Sequence, residues 1–128
     1  MAGELESGTR GMFSALDRGD AEAMIRLGAG EMQAVDEISR RWLRGLDEVA
    51  GYIRKLTSMV EGVHSTVSDV RETFWGDTGA VSCWLEQDYK LEGVPQHVSA
   101  PTTLLFRREG DEWKITLFHS VPLPAEGD

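Results

Sequence analysis

The chain has 128 residues, the size of one ordinary domain, and its 41% hydrophobic and 27% charged residues exclude disordered and fibrous classes. A net charge of −9 and a pI near 4.8 disfavour nucleic acid and anionic membrane as partners, because phosphate binding needs clustered Lys and Arg, and Arg40, Arg41 and Arg44 are too few. Cys83 is the only cysteine, so no intramolecular disulfide can form, and no run approaches the roughly 20 apolar residues that span a bilayer.

The opening residues, Met1-Ala2-Gly3-Glu4-Leu5-Glu6, are acidic and lack the basic and apolar blocks of a secretory signal. A cytoplasmic protein with one domain over residues 1–128 is the resulting expectation. Leu5, Thr9, Met12, Phe13 and Leu16 fall mostly at helical spacing and predict an amphipathic helix over residues 4–16. It should stop at Asp17-Arg18-Gly19, with Gly19 as a left-handed cap, and Asp20 should start a second short helix through Leu27. Gly28-Ala29-Gly30 breaks the pattern. Residues 32–35 and 41–43 suggest a short pair of strands around the polar turn Asp36-Glu37, with Ile38 blurring the register of residues 28–45. Asp47 can cap a third helix that carries Val49, Tyr52, Ile53, Leu56 and Met59 on one face.

After Gly62 the period changes from helical to alternating, and residues 63–75, 80–91, 96–108 and 113–121 read as four long strands. The turns between them, Gly76-Asp77-Thr78-Gly79, Glu92-Gly93-Val94-Pro95 and Glu109-Gly110-Asp111-Glu112, are too short for a crossover, so the strands are antiparallel neighbours. Helices followed by a meander is an α+β arrangement. Alternation puts Val81, Cys83, Leu85, Gln87, Tyr89 and Leu91 on the helix-facing side, and Trp84, Glu86, Asp88 and Lys90 on the other. On the last strand the same parity sends Trp113, Ile115, Leu117, His119 and Val121 inward, and Phe118 outward.

Several segments in their order and spacing resemble the SnoaL-like branch of the nuclear-transport-factor-2-like superfamily, which also holds the ketosteroid isomerases. They are Ala15-Leu16-Asp17-Arg18-Gly19-Asp20, Leu43-Arg44-Gly45, Gly76-Asp77-Thr78-Gly79-Ala80-Val81 and the ending Thr103-Leu104-Leu105-Phe106-Arg107-Arg108-Glu109-Gly110-Asp111-Glu112-Trp113-Lys114-Ile115, with His119-Ser120-Val121-Pro122 after it. The resemblance covers almost the whole chain. It implies a cone-shaped fold in which three N-terminal helices pack on a strongly curved, mainly antiparallel sheet, with a cavity between the layers. It implies no single activity, since such a fold serves cyclases, isomerases, dehydratases, hydrolases and binding modules alike.

Parity places His119 on the cavity side, where an imidazole can act as general acid or base, and its plainer reading is a hydrogen-bonded core histidine. By the resemblance, Asp36 lies where related isomerases place a general base, and its plainer reading is a solvated turn residue beside Glu37. Those isomerases also use a tyrosine on the first helix and a protonated aspartate on a strand. Here the helix offers Phe13 and Thr9, and Asp88 faces outward, so steroid-type isomerisation is not expected. Phe13, Tyr52, Cys83, Leu85, Gln87, Tyr89 and Leu117 are the expected pocket residues, with Cys83 as a small apolar side chain.

His64, His97 and His119 lack metal-ligand spacing, and no phosphate loop, dinucleotide fingerprint or nucleophile elbow occurs, so neither metal nor cofactor is expected. Two functions follow. One is a pocket for a small hydrophobic molecule, with acid–base chemistry by His119 and Asp36; the other is a non-catalytic binding or assembly module. In either case Trp84 and Phe118, read as outward-facing, predict a homodimer through the outer sheet face, an arrangement the resemblance also implies.

Overall fold

The computed structural model describes residues 3–124, so Met1 and Ala2 of the acidic start and residues 125–128 of the tail lie outside the described residues. Helix α1, Glu4–Asp17, buries Leu5, Thr9, Met12 and Phe13 of the stripe that its spacing predicts, together with Ala15, while Leu16 is half-buried. The Thr9 hydroxyl donates to the Leu5 carbonyl at 2.9 Å, which lets a polar residue lie wholly buried on that face. Gly19 ends the helix at φ +70°, and the Asp20 carboxylate accepts from the Ala23 N–H at 3.1 Å to start α2, Ala21–Arg26.

Strand β1 runs from Gly28 to Asp36 and pairs antiparallel with the two-residue β2, Leu43–Arg44. The glycines at 28 and 30 therefore belong to a strand, where the sequence suggests a break. Helix α3, Leu46–Met59, starts at Gly45, with Asp47 in its first turn rather than at its cap. Four long strands follow: β3 (Val60–Trp75), β4 (Thr78–Leu91), β5 (Val94–Glu109) and β6 (Glu112–Ser120). Glu92 and Gly93 both adopt positive φ, 51° and 83°, the conformation that a tight hairpin between twisted strands requires.

The six strands form one sheet in the order β2-β1-β6-β5-β4-β3. Every pairing is antiparallel except β1 with β6, which is parallel. A parallel neighbour needs a long connection, and here the rest of the chain supplies it, so strand-to-strand turns could not reveal it. The β6 N-terminal half is also tied to α2: the Ile115 N–H donates to the Leu27 carbonyl at 2.8 Å and Lys114 Nζ to the Arg26 carbonyl at 2.7 Å.

Strand β4 keeps strict alternation and buries Val81, Cys83, Leu85, Gln87 and Tyr89. Strand β6 does not. Ile115 pairs with Phe106 and Leu117 with Leu105, so Thr116 is an extra residue without a partner, a β-bulge. One inserted residue reverses the faces of everything beyond it. Phe118 and Ser120 turn inward: the Phe118 ring stands 6.1 Å from Phe13, and the Ser120 and Thr102 hydroxyls are 2.8 Å apart. Leu117 and His119 turn to the outer face, where His119 lies 6.1 Å from the Trp42 ring. This corrects the expected orientation of four residues: Leu117 and His119 are not inward, Phe118 is not outward, and Val121, just past the strand, is exposed rather than inward.

The buried apolar residues form a large cluster, with Leu5, Leu85, Leu104 and Phe106 at its centre, and a small one of Tyr89, Val98 and Ala100. Burying each large side chain stabilises the fold by roughly 1.5–3 kcal/mol. Gly79 is fitted tightly into the large cluster, since an added Cβ would meet Leu5 Cδ1 at 2.4 Å, whereas a Cβ at Gly30 meets nothing within 4 Å. Gly79→Ala should therefore lower stability by about 1–3 kcal/mol and Gly30→Ala should leave it unchanged or slightly raised, measured by urea denaturation.

Candidate functional site

Between the helices and the inner sheet face lies a cavity of about 90 Å³, on a scale where one water needs roughly 10–15 Å³. It has room for a small organic molecule. Its lining draws on both core clusters, with Met12, Phe13 and Leu16 from α1, Val49, Ile53 and Leu56 from α3, and Leu85, Ile115 and Phe118 from the sheet.

The wall is apolar except at one end. There the last residue of β1, Asp36, and the next residue, Glu37, meet Tyr52 of α3 and Gln87 and Tyr89 of β4. Among the described residues that line the cavity, none is basic. Asp36 is held from three directions. The Tyr52 hydroxyl donates to its carboxylate, at 2.8 Å from Oδ1 and 2.9 Å from Oδ2, and the Ile38 and Ser39 N–H groups donate to Oδ1 at 3.1 and 2.8 Å. These bonds fold the chain after β1 into a tight turn that carries Glu37 over the cavity.

Burial, and then the charge of Asp36, push the Glu37 carboxyl up from its ordinary 4.5 to about 7, with its own backbone N–H and then the Tyr89 hydroxyl partly offsetting them. Burial first and the Glu37 and Asp36 charges next push the Tyr89 phenol up to about 12. Burial and the Asp36 carboxylate likewise hold the Tyr52 phenol well above its usual range, so it remains a donor. The Gln87 amide donates to Ser65 Oγ at 2.9 Å, and Ser65 donates in turn to Asp17 at 2.7 Å, which fixes Gln87 in the wall.

Of the residues that sequence reasoning singles out, Asp36, Phe13, Tyr52, Leu85, Gln87 and Tyr89 meet at this cavity. Cys83 packs in the large cluster instead, and burial pushes its thiol up to about 11, as for an inert apolar side chain. His119 and Leu117 lie on the opposite face of the sheet because of the bulge at Thr116, so His119 faces no cavity chemistry. Glu37 was missed as a site residue. The signal for it was faint: an acidic residue between Asp36 and an apolar Ile38 reads as the solvated half of a turn.

The SnoaL-like domain family profile matches residues 6–124. No curated protein matches the chain. Among solved structures, a candidate dehydratase of the nuclear-transport-factor-2-like family from Streptomyces avermitilis superposes with a TM-score of 0.86 at 23% identity, covering 95% of this chain and 96% of that one. A candidate aromatic ring hydroxylase from Novosphingobium aromaticivorans gives 0.87 at 13% identity, covering 95% and 88%. A ketosteroid isomerase-like protein from Erwinia carotovora atroseptica gives 0.80 at 17% identity, covering 95% of both chains. At such identities the likeness is one of fold.

The raised Glu37 pKa is also a statement about stability. The folded chain keeps this proton up to about pH 7, whereas the unfolded chain releases it near 4.5, so the stabilisation is full below 4.5 and is lost as pH rises through 7. Glu37→Gln should match the parent protein near pH 5 and exceed its stability near pH 8, by up to about 3 kcal/mol. Urea denaturation at the two pH values measures the difference.

Proposed function

The chain belongs to the SnoaL-like domain family, and from that premise we propose that it is a small-molecule-binding protein whose cavity performs cofactor-independent acid–base chemistry on an apolar substrate, of the isomerase, cyclase or dehydratase type. The observation that carries this reading is the convergence of Asp36, Glu37, Tyr52 and Tyr89 on one end of an otherwise apolar cavity. Apolar walls with a few convergent polar groups are the common form of a small-molecule site, and they take up the body of a substrate while the polar end acts on it. A carboxyl that titrates near neutrality can both accept and return a proton, as an isomerisation or dehydration requires. His119 has no part in this proposal, and the chemistry passes to the carboxyl end.

Two neutral probes test it. Indole should bind saturably, shifting the NMR resonances of Ala34, Leu85 and Ile115, and Ala34→Leu, which fills the cavity, should abolish the effect in a protein that still melts cooperatively. 5-Nitrobenzisoxazole should be opened with saturation kinetics: a carboxylate takes its ring C–H proton, the C–H electron pair forms the nitrile as the N–O bond breaks, and 2-cyano-4-nitrophenolate leaves. Indole binding without that reaction would favour a non-catalytic binding module.

A second reading, assembly as a homodimer, rests on the outer sheet face. The bulge turns Leu117 to that side, where it pairs with Leu105, while Trp84 there donates its indole N–H to Glu86 at 3.0 Å and Ser99 at 3.2 Å. We place the dimer contact on Leu105 and Leu117 with Trp84 at its edge, in place of a Trp84 and Phe118 pair. Leu117→Glu should then halve the mass seen by light scattering at micromolar concentration, and a monomeric mass for the parent protein would rule the dimer out.

A further inference from the structure

We propose that Glu37 is the catalytic carboxyl of this cavity, the group that takes a proton from the bound substrate, and that Asp36 beside it is a positioning residue. The inference rests on the reading of the cavity as an acid–base site and assigns the roles within it. The family resemblance points to Asp36 as the base, but the hydrogen bonds point elsewhere.

Asp36 is occupied. Its Oδ1 accepts from the Ile38 and Ser39 N–H groups and from Tyr52, and its Oδ2 also lies 2.9 Å from the Tyr52 hydroxyl. The two backbone donors cannot turn away without undoing the turn, and the tyrosine is anchored in α3. Each of these bonds to a charged acceptor is worth about 1.5–3 kcal/mol, and together they fix the place of the carboxylate in the turn. The same bonds give Asp36 a different use: they hold the backbone of Glu37 at the cavity rim.

Glu37 is in the contrary situation. It lines the cavity and is partly buried, and the donors to its carboxyl are its own backbone N–H and the Tyr89 hydroxyl, neither of which belongs to the turn that binds Asp36. The ionisable groups that face it are Asp36 from its own turn, Tyr52 from α3 and Tyr89 from β4; β3 offers only Val60 and Val63. Among the described residues no cation opposes its charge, so ionised Glu37 is a poorly solvated base, which is a reactive one. Asp36 acts on it through space as well as through the backbone, since its negative charge makes Glu37 hold a proton more tightly. The transfer balances without a co-reactant: the proton moves from a substrate carbon to a Glu37 oxygen, the electron pair stays with the substrate, and the same oxygen returns the proton to another substrate atom or to water.

The test uses the parent protein and 5-nitrobenzisoxazole. Its rate should rise with pH through a midpoint near 7. Glu37→Gln should lower the rate by roughly 10²-fold and remove that midpoint. Asp36→Asn keeps an acceptor for the two backbone donors but loses the charge. It should lower the rate less than about ten-fold and move the midpoint to lower pH, a displacement that a merely structural residue would not cause. Cooperative melting of both variants at the assay temperature secures the comparison, and Glu37→Met, which is of similar length and uncharged, should repeat the Gln result. A parent protein that turns over the probe while Glu37→Gln keeps its rate, or an Asp36→Asn variant that loses all activity with Glu37→Gln still active, would overturn the assignment. A parent protein with no saturable reaction would overturn the acid–base reading itself.

Discussion

The unpaired Thr116 on β6 governs which side chains meet at the cavity. Before it, Ile115 points to the helices; after it, Phe118 and Ser120 do, and Leu117 and His119 are turned away. Were the strand paired regularly through Thr116, Phe118 would not reach Phe13, and an imidazole would stand where the cavity now has an aromatic wall. A bulge costs ladder hydrogen bonds locally, and the Ile115 N–H beside it donates to the Leu27 carbonyl at the end of α2. The wall of the site is thus set by a backbone irregularity, and its chemistry by a turn.

That turn is an electrostatic arrangement as much as a conformational one. Asp36 is held by backbone and phenolic donors at the end of β1, and its charge acts on Glu37 one residue later. The two adjacent carboxyls have different surroundings: Asp36 is tied to the N–H groups of its turn, whereas Glu37 is buried among the cavity walls. Tyr52 and Tyr89 complete the division by presenting one phenol to each carboxyl, on α3 and β4 respectively.

Much of this could be read from the residues, and the failures have physical causes. The uninterrupted alternation of β4 placed Leu85, Gln87 and Tyr89 correctly, because a strand without bulges keeps its period over its whole length. Gly19 and Asp20 announced the end of α1 and the start of α2, since a left-handed cap and a carboxylate cap are local chemistry. The bulge left no such mark: Lys114-Ile115-Thr116-Leu117 contains no glycine and alternates as well as any strand. The parallel pairing of β1 with β6 was equally silent, as it joins segments far apart in the chain. Glu37 was hidden for a third reason, that its importance comes from Tyr89 and from burial supplied by β3 and β4, none of which is near it in sequence.

The place of β1 in the sheet has a consequence for how the protein comes to be folded. Strands β3 to β6 are successive hairpins and can form from local contacts, but β1 has no long partner until β6 exists. Closing a loop from residue 36 to residue 120 carries an entropic cost that is met only when the strand docks, so this pairing belongs to the late, slow part of folding. On a ribosome β1 must therefore wait without its long partner until β6 has emerged, although α1 can already pack on β3 and β4. The carboxyl end of the cavity, which hangs from the end of β1, is then assembled at the last step, and a chain that stalls before β6 has the residues of a site but no site.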